Sequence, residues 1–318
     1  MSSGKSGTEV TRAVLITNPA AARHAARAVM GIRDTLRAGG WDVEVRATAE
    51  PGDARRFATE ARVAGADVVV CYGGDGTAMQ AAAGLVGSGI PLGLVPGGTG
   101  NILARNLRLP RRPVAAARAM LVGETLAIDV GVVERADGQH YFAVCAGAGF
   151  DAEVMRLTTA PLKRRWLTAA YMVRALGALP EVRSADLRVT VDGTAHEVRA
   201  AMALVANCAE LFPPYFKLTE GIRLDDGLFD LVTLRADGAV ESAAAFLELL
   251  RGSKNGAGRV RFARGRSFRI EVIGGPPLGV QLDGEVVGTT PFEVRLLPGA
   301  LRVLADPAKV LGGAAARG

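Results

Sequence analysis

Residues 68 to 80 read VVVCYGGDGTAMQ: an apolar run, three glycines packed around one aspartate, then helix-forming residues. That order describes a buried strand that turns tightly and enters a helix. Gly73, Gly74 and Gly76 let backbone amides approach a ligand closely, and the following helix points its positive N-terminus at the same place. The turn is therefore suited to an anion. Asp75 at its centre sets a condition, because a carboxylate inside an anion cradle needs a cation or a hydrogen-bond network beside it. A second turn of the same kind, PGGTGN at 96–101, follows the next apolar run and should lie beside the first.

The pattern around these turns repeats. AVLITNP, WDVEVRAT, DVVVCYGG and IPLGLVPGG read as strands, and AARHAARAVMGIRDTLRAGG, PGDARRFATEARVAGA and TAMQAAAGLVGSG as the helices between them. Such alternation implies a mostly parallel sheet with right-handed crossovers, so residues 1–128 are expected to form an α/β domain. Ligands of these sheets bind beyond the carboxyl ends of the strands, where TNP, GGDGT and GGTGN all fall. From residue 129 the rhythm changes. Asp-Gly pairs beginning at Asp137, Asp192, Asp226, Asp237 and Asp283 lie among β-rich runs such as HYFAVCAG, DLRVTVDG, EVRAAMALVAN, LFDLVTLR, SFRIEVIG and FEVRLLPG, the signature of antiparallel hairpins. Helices around 162–178 and 239–250 interrupt them. Residues 129–305 are expected to form a second, antiparallel domain, and 306–318 a loose tail.

Composition narrows the chemistry. A 318-residue chain that is 49% hydrophobic is long enough for two cores. Cys71, Cys145 and Cys208 are odd in number and each lies in an apolar run, so core thiols in a reducing cytoplasm are expected rather than disulfides. His24, His140 and His196 stand apart, which leaves neither a zinc site nor a Ser-His-Asp triad any support. MSSGKSGTEV lacks an apolar core and no later run reaches the ~18 uncharged apolar residues of a bilayer span, so membrane contact would be lateral. The net charge is +6, and only five of the 38 basic residues are lysine. Arginine's planar fork suits phosphate and carboxylate. Charge alone, however, fits nucleic acid, anionic membrane or a phosphorylated substrate equally.

Two short motifs are misleading. SGKS at 3–6 lacks both the preceding strand and the first glycine of a P-loop. GAGFDA at 147–152 matches a dinucleotide fingerprint in form, but the acidic residue required about 20 positions later is replaced by KRRWLTAAYMVRAL.

Six motifs together carry a family resemblance. TNPAAAR, GGDGT, GGTGN, GAGFDA, LDDGLFDL and QLDGEVV occur in an order and spacing similar to the diacylglycerol kinase catalytic family, which includes bacterial lipid kinases and the sphingosine and ceramide kinases. The resemblance covers about residues 12–304. It implies an N-terminal nucleotide-binding α/β domain, a C-terminal antiparallel β-sandwich domain, and ATP between them. It places Asn18 and Arg23 in the first phosphate loop, Thr48 in the nucleotide pocket, Gly73, Gly74, Asp75, Gly76 and Thr77 around the phosphates, and Thr99 and Asn101 in the wall. Asp129 matches an aspartate of a polar network near the metal. A structural Mg²⁺ site falls on the Arg223 carbonyl, the Asp226 carboxylate and the Leu228 carbonyl. Glu285 stands where bacterial members place the proton acceptor, with Asp283 and Asp75 as further catalytic candidates.

The chain also departs from the family. Ala22 replaces a frequent glycine, Ala78, Met79 and Gln80 follow GGDGT where a hydrophobic residue and Asn-Glu are common, and Ile102 takes the place of an aspartate near the metal. The chemistry nevertheless agrees with the inventory. Phosphoryl transfer needs positioning and charge neutralisation, and an alkyl hydroxyl needs a carboxylate to take its proton. In PLKRRWLTAAYMVRAL, helical spacing puts Leu162, Trp166, Ala169, Val173 and Leu176 on one face and clusters Lys163, Arg164 and Arg165 at its start, as in helices that dock on anionic lipid. AELFPPYFKL at 209–218 could line an acyl-chain entrance or form a packed loop. The resemblance thus implies a cytoplasmic, peripheral lipid kinase using ATP and Mg²⁺, with a lipid partner at a membrane surface and no nucleic-acid partner. A homodimer stays open. So do a soluble-substrate kinase resembling NAD kinase and an inactive lipid-binding homologue.

Overall fold

The computed structural model describes residues 10–19, 25–150, 152, 182–212, 216–218, 221–250 and 258–311. Arg23 and the segment 162–178 lie outside these described residues, as do both ends of the chain and the tip of the 209–218 stretch.

Strands β1 (Thr11–Thr17), β2 (Trp41–Ala47), β3 (Val68–Gly73) and β4 (Leu92–Pro96) are parallel and stand in the order β2-β1-β3-β4. Their side chains alternate between two cores. Val14, Ile16, Val69 and Cys71 pack with the alanines of α2 (Asp53–Val63) and with Leu85 of α3 (Asp75–Leu85). Leu15, Val68, Val70 and Tyr72 pack instead with Ile32 and Leu36 of α1 (Ala25–Ala38). Burial on both faces explains why β3 is an unbroken apolar run. The short α4 (Ile102–Asn106) follows β4, and α5 (Pro113–Leu121) joins α1 on the second face.

Strand β5 (Glu124–Arg135) runs through residue 129 without interruption and forms a hairpin with β6 (Gly138–Phe142) across Asp137-Gly138. Then come β7 (Cys145–Gly149), β8 (Ala185–Val191), β9 (Thr194–Ala200), β10 (Met202–Ala206) and the small pair β11 (Glu210–Phe212) and β12 (Phe216–Lys217). The remaining elements are β13 (Phe229–Leu234), α6 (Gly238–Leu250), β14 (Val260–Gly265), β15 (Ser267–Val272), β16 (Gly279–Leu282), β17 (Glu285–Thr289), β18 (Phe292–Ala305) and α7 (Pro307–Leu311). One sheet has the order β14-β13-β10-β7-β16-β17, all antiparallel. It packs on β8, β15 and β18: Ala146, Val205, Leu231 and Val280 meet Leu187, Val189, Phe268, Ile270 and Val294 in a sandwich core, with the Phe142 and Phe229 rings 5.4 Å apart.

The two halves share a sheet. β18 returns to the first half, pairing parallel with β4 at Val303↔Leu92 and antiparallel with β5 and β15. The order β2-β1-β3-β4-β18-β15-β8-β9 therefore runs continuously from one half into the other.

Several local expectations change. HYFAVCAG is two strands, broken at Ala143 and Val144, and EVRAAMALVAN is two strands, broken at Ala201. Asp137-Gly138, Asp192-Gly193 and Asp283-Gly284 close hairpins, the last two with both residues at positive φ as a type I′ turn requires. Asp226-Gly227 and Asp237-Gly238 do not: the first lies in a loop, and the second opens α6, where Glu241 accepts the Asp237 N–H. The start of the expected loose tail is helical at Pro307–Leu311. The three cysteines are buried, as core thiols should be, and burial pushes the Cys71 thiol up to about 12.

Candidate active site

The carboxyl ends of four parallel strands bring the first set of residues together. Beyond β1, Asn18 donates its backbone N–H to Tyr72 O at 3.1 Å and its side-chain amide to Thr77 Oγ1 at 3.0 Å. Beyond β2, Thr48 donates to Thr17 O at 2.8 Å. Gly73 to Thr77 join β3 to α3, and Gly97 donates to Gly73 O at 2.9 Å, so the two glycine turns touch. Thr99 is exposed on the second turn, while Asn101 is occupied within it, accepting from Gly98 N–H and donating to Gly98 O.

Asp75 links the turns. Its carboxylate accepts the Asn101 N–H at 2.7 Å and the Ile102 N–H at 2.5 Å, and so fastens the start of α4. A Cβ on Gly100 would lie 2.6 Å from Asp75 Oδ2, which is why glycine stands there. The condition set by a carboxylate in this turn is met by backbone amides. Burial raises the Asp75 pKa, and the amides of Ile102 and Asn101 oppose that rise.

The second set comes from the β16–β17 hairpin, and its two acids are treated differently. The Asp283 carboxylate fills the break between β6 and β7, accepting the N–H groups of Ala143, Val144 and Cys145 at 2.9, 3.0 and 2.8 Å. Burial pushes its pKa up to about 7, against those three amides. Glu285, by contrast, is exposed and reaches across to the first half: its Oε1 lies 2.9 Å from where a Cβ on Gly76 would be. Between them opens a cleft of about 130 Å³, lined by Arg55, Gly76, Met79 and Gln80 on one side and by Gln139, His140, Asp283 and Glu285 on the other. Sequence reasoning missed Arg55, Gln139 and His140, since nothing in their local pattern marks them.

A buried polar joint holds the halves in place. The Asp129 carboxylate accepts Gly227 N–H at 2.7 Å and Gly299 N–H at 2.8 Å, and Asn207 donates to the carbonyls of Asp129 and Ala143. Asp129 thus ties β5 to β18 and to the loop before β13.

That loop holds the residues expected to bind Mg²⁺. Asp226 Oδ2 accepts from Arg264 Nη2 at 2.9 Å and Oδ1 accepts the Leu228 N–H at 3.2 Å, while the Arg223 guanidinium is engaged with Asp225. Arg264 also pairs with Asp230 at 3.1 Å. A guanidinium therefore stands beside the one carboxylate among the three residues. Among the described residues no cluster of three or more His, Cys, Asp or Glu could hold a metal, and none of Arg223, Asp226 and Leu228 lines the cleft. No helix among the described residues is long and apolar enough to cross a membrane.

The chain is similar to known proteins along most of its length. Residues 12–133 match the diacylglycerol kinase catalytic domain, and residues 144–305 match the YegS C-terminal NAD kinase beta sandwich-like domain. A Mycobacterium tuberculosis protein named diacylglycerol kinase is 30% identical over 93% of this chain and 96% of its own length. A Pseudomonas fluorescens protein named "Probable lipid kinase YegS-like" is 34% identical over 88% of this chain and 92% of its own. A crystal structure of a diacylglycerol kinase from Bacillus anthracis superposes with a TM-score of 0.73 at 22% identity, covering 95% of this chain and 99% of that one, and shares the fold. Both halves that meet at Gly76 and Glu285 are thus matched, each by its own domain, and the chain belongs to the diacylglycerol kinase catalytic family.

Proposed function

We propose that the chain is an ATP-dependent lipid kinase that transfers the γ-phosphoryl group to a lipid hydroxyl, of diacylglycerol or sphingoid type, with Glu285 as the proton acceptor. The observation that carries this reading is the approach of Glu285 Oε1 to Gly76, which joins an exposed carboxylate to a glycine turn at a helix N-terminus. Mg²⁺ brought in with ATP would neutralise part of the phosphate charge. The amides of residues 73–77 and the positive end of α3 receive those phosphates, with Asn18, Thr48, Thr99 and Asn101 around them. The acceptor hydroxyl approaches from the cleft and gives its proton to Glu285 as its oxygen bonds to the γ-phosphorus. The bond from that phosphorus to the bridging oxygen breaks, and ADP leaves.

Asp283 is a positioning residue in this scheme. With three amides on its carboxylate it has little capacity left for an acceptor hydroxyl, and it fixes the hairpin that presents Glu285. The division at residues 128 and 129 separates the ATP-binding part from the acceptor-binding part. The enzyme works as a cytoplasmic protein at the inner membrane face.

The test is labelled ATP with Mg²⁺ and mixed micelles of several lipids, with NAD in a parallel reaction. Label in one lipid and none in NAD is expected. Label in NAD would replace the lipid reading with a soluble-substrate kinase, and label in neither would favour an inactive lipid-binding protein.

A further inference from the structure

The cleft beside Glu285 contains a positive charge that the scheme above does not use. Arg55, on α2, lines it together with Gly76, Gln80, His140 and Glu285. The neighbouring arginines are committed: Arg56 pairs with Asp53 and Glu60, and Arg46 with Glu44 and Glu60. Arg55 makes no ion pair among the described residues, nor does Glu285 across the cleft. His140 faces the same space but is engaged with Asp137 at 2.9 Å, and Asp283 is held by its three amides. Two opposite charges thus line one cleft, each without a counter-ion among the described residues.

The backbone that carries Arg55 is fixed relative to the first glycine turn. A Cβ on Gly84 of α3 would lie 2.7 Å from Arg55 O, so α2 is pressed onto α3 at this residue. One turn earlier, Gln80 accepts the Gly52 N–H at 3.1 Å. Arg55 therefore projects from a rigid helix pair whose other end is Gly76. A guanidinium presents a planar fork of donors that matches phosphate oxygens, and a partner of that kind leaves Glu285 free to receive a proton.

We propose that Arg55 is a phosphate-binding residue of this cleft, taking the oxygens of a phosphate that sits in the cleft alongside Gly76 and Glu285. The proposal rests on the kinase reading above for its place in the reaction. The phosphate has two possible sources with one chemistry: the phosphoryl group in transit, or a phosphate already on the acceptor's head.

The experiment compares the full chain with Arg55→Gln and Arg55→Lys after thermal melting has shown that both variants fold. Inorganic phosphate and glycerol 3-phosphate are titrated calorimetrically without ATP. At least tenfold weaker binding to R55Q than to the natural chain is expected, with R55K in between because it keeps the charge and loses the fork. Transfer is then measured to a short-chain diacylglycerol and to a short-chain lipid whose glycerol head is attached through phosphate. A kcat lowered 10- to 100-fold with both acceptors identifies the phosphoryl group in transit. A KM raised only for the phosphate-bearing acceptor identifies the head. Unchanged phosphate binding in R55Q, with unchanged kcat and KM, would overturn the proposal. If the natural chain labels neither lipid, the kinase reading fails, and the phosphate titrations still decide whether Arg55 binds phosphate.

Discussion

The parallel and antiparallel halves each bring short glycine-containing turns to the same cleft, and the two kinds of turn work differently. In the parallel half, glycine is used for space. Gly76 lets Glu285 approach and Gly100 lets Asp75 approach, so the backbone itself is the binding surface. In the antiparallel half, Asp-Gly is used for conformation, and side chains on either side of the turn do the chemistry. Asp283 and Gly284 form the same positive-φ pair as Asp192 and Gly193. Asp192 merely ties its hairpin to Arg266 and Ser267, whereas Asp283 anchors the hairpin that carries Glu285. Identical local chemistry thus receives its role from what lies opposite.

The largest expected effect breaks that comparison at Glu285. Changing Glu285 to Gln keeps the turn and its size but removes the proton acceptor. Turnover should fall by roughly 10²–10⁴-fold, with ATP affinity and melting temperature unchanged. Turnover within a few-fold of the natural chain would pass the proton to another group, and Asp283 would be the next candidate.

Asp283 is expected to show the opposite profile. Asp283→Ala leaves three amides without their acceptor, at about 1 kcal/mol or more each, so stability should drop by about 3 kcal/mol in denaturant unfolding. The residue also has a pH signature. Its folded pKa is raised to about 7 by burial, so above the usual carboxylate value of ~3.9 the folded chain retains a proton that the unfolded chain has lost. Its contribution to stability is therefore greatest at low pH, declines as pH rises towards 7, and is level above that. Asp283→Asn should flatten this part of the profile. An unaltered slope in that variant would mean that Asp283 is ionised throughout.

How much of this was legible in the sequence follows the same division. GGDGT and GGTGN could be read because strand, turn and helix are contiguous, and because amides at a helix N-terminus need no distant partner. The parallel sheet and the hairpin at Asp283 were legible for the same reason. The partners of Asp283 were not, because three amides in a strand break carry no side-chain code and lie about 140 residues away. Arg55 and His140 were equally silent: each is an ordinary polar residue until α2 and β6 close on one cleft. Nor does a change of rhythm near 129 reveal that β18 will return beside β4.

Asp75→Ala sharpens the comparison from the parallel side. It removes the acceptor of two amides rather than three, so a loss of about 2 kcal/mol is expected. Because those amides begin α4 and Gly97 is hydrogen-bonded to Gly73, the second turn should loosen against the first, and ATP binding and phosphoryl transfer should both weaken. A variant that transfers phosphate normally would remove the glycine turns from the nucleotide site.

The smallest effect is expected at Asp226, where a third Asp-Gly pair serves neither a hairpin nor the cleft. Its carboxylate meets Arg264 at 2.9 Å, but the guanidinium is about half exposed and keeps Asp230 as a second partner. Solvent screening limits such a pair to about 1 kcal/mol or less, so Asp226→Ala should cost about that much. The two accounts of this loop differ in what modulates the loss. An ion pair weakens as salt is raised and is indifferent to Mg²⁺ at constant ionic strength. A metal ligand would make the gap between the natural chain and the variant shrink once Mg²⁺ is removed from both, because a cation bound only to the folded state stabilises only the chain that can bind it. Melting both proteins with EDTA, with Mg²⁺, and with NaCl matched to the ionic strength of the Mg²⁺ buffer separates the two. A gap that ignores Mg²⁺ and narrows with salt is the expected result. A gap that closes only on chelation would mean that Arg264 yields its place at Asp226 to a cation.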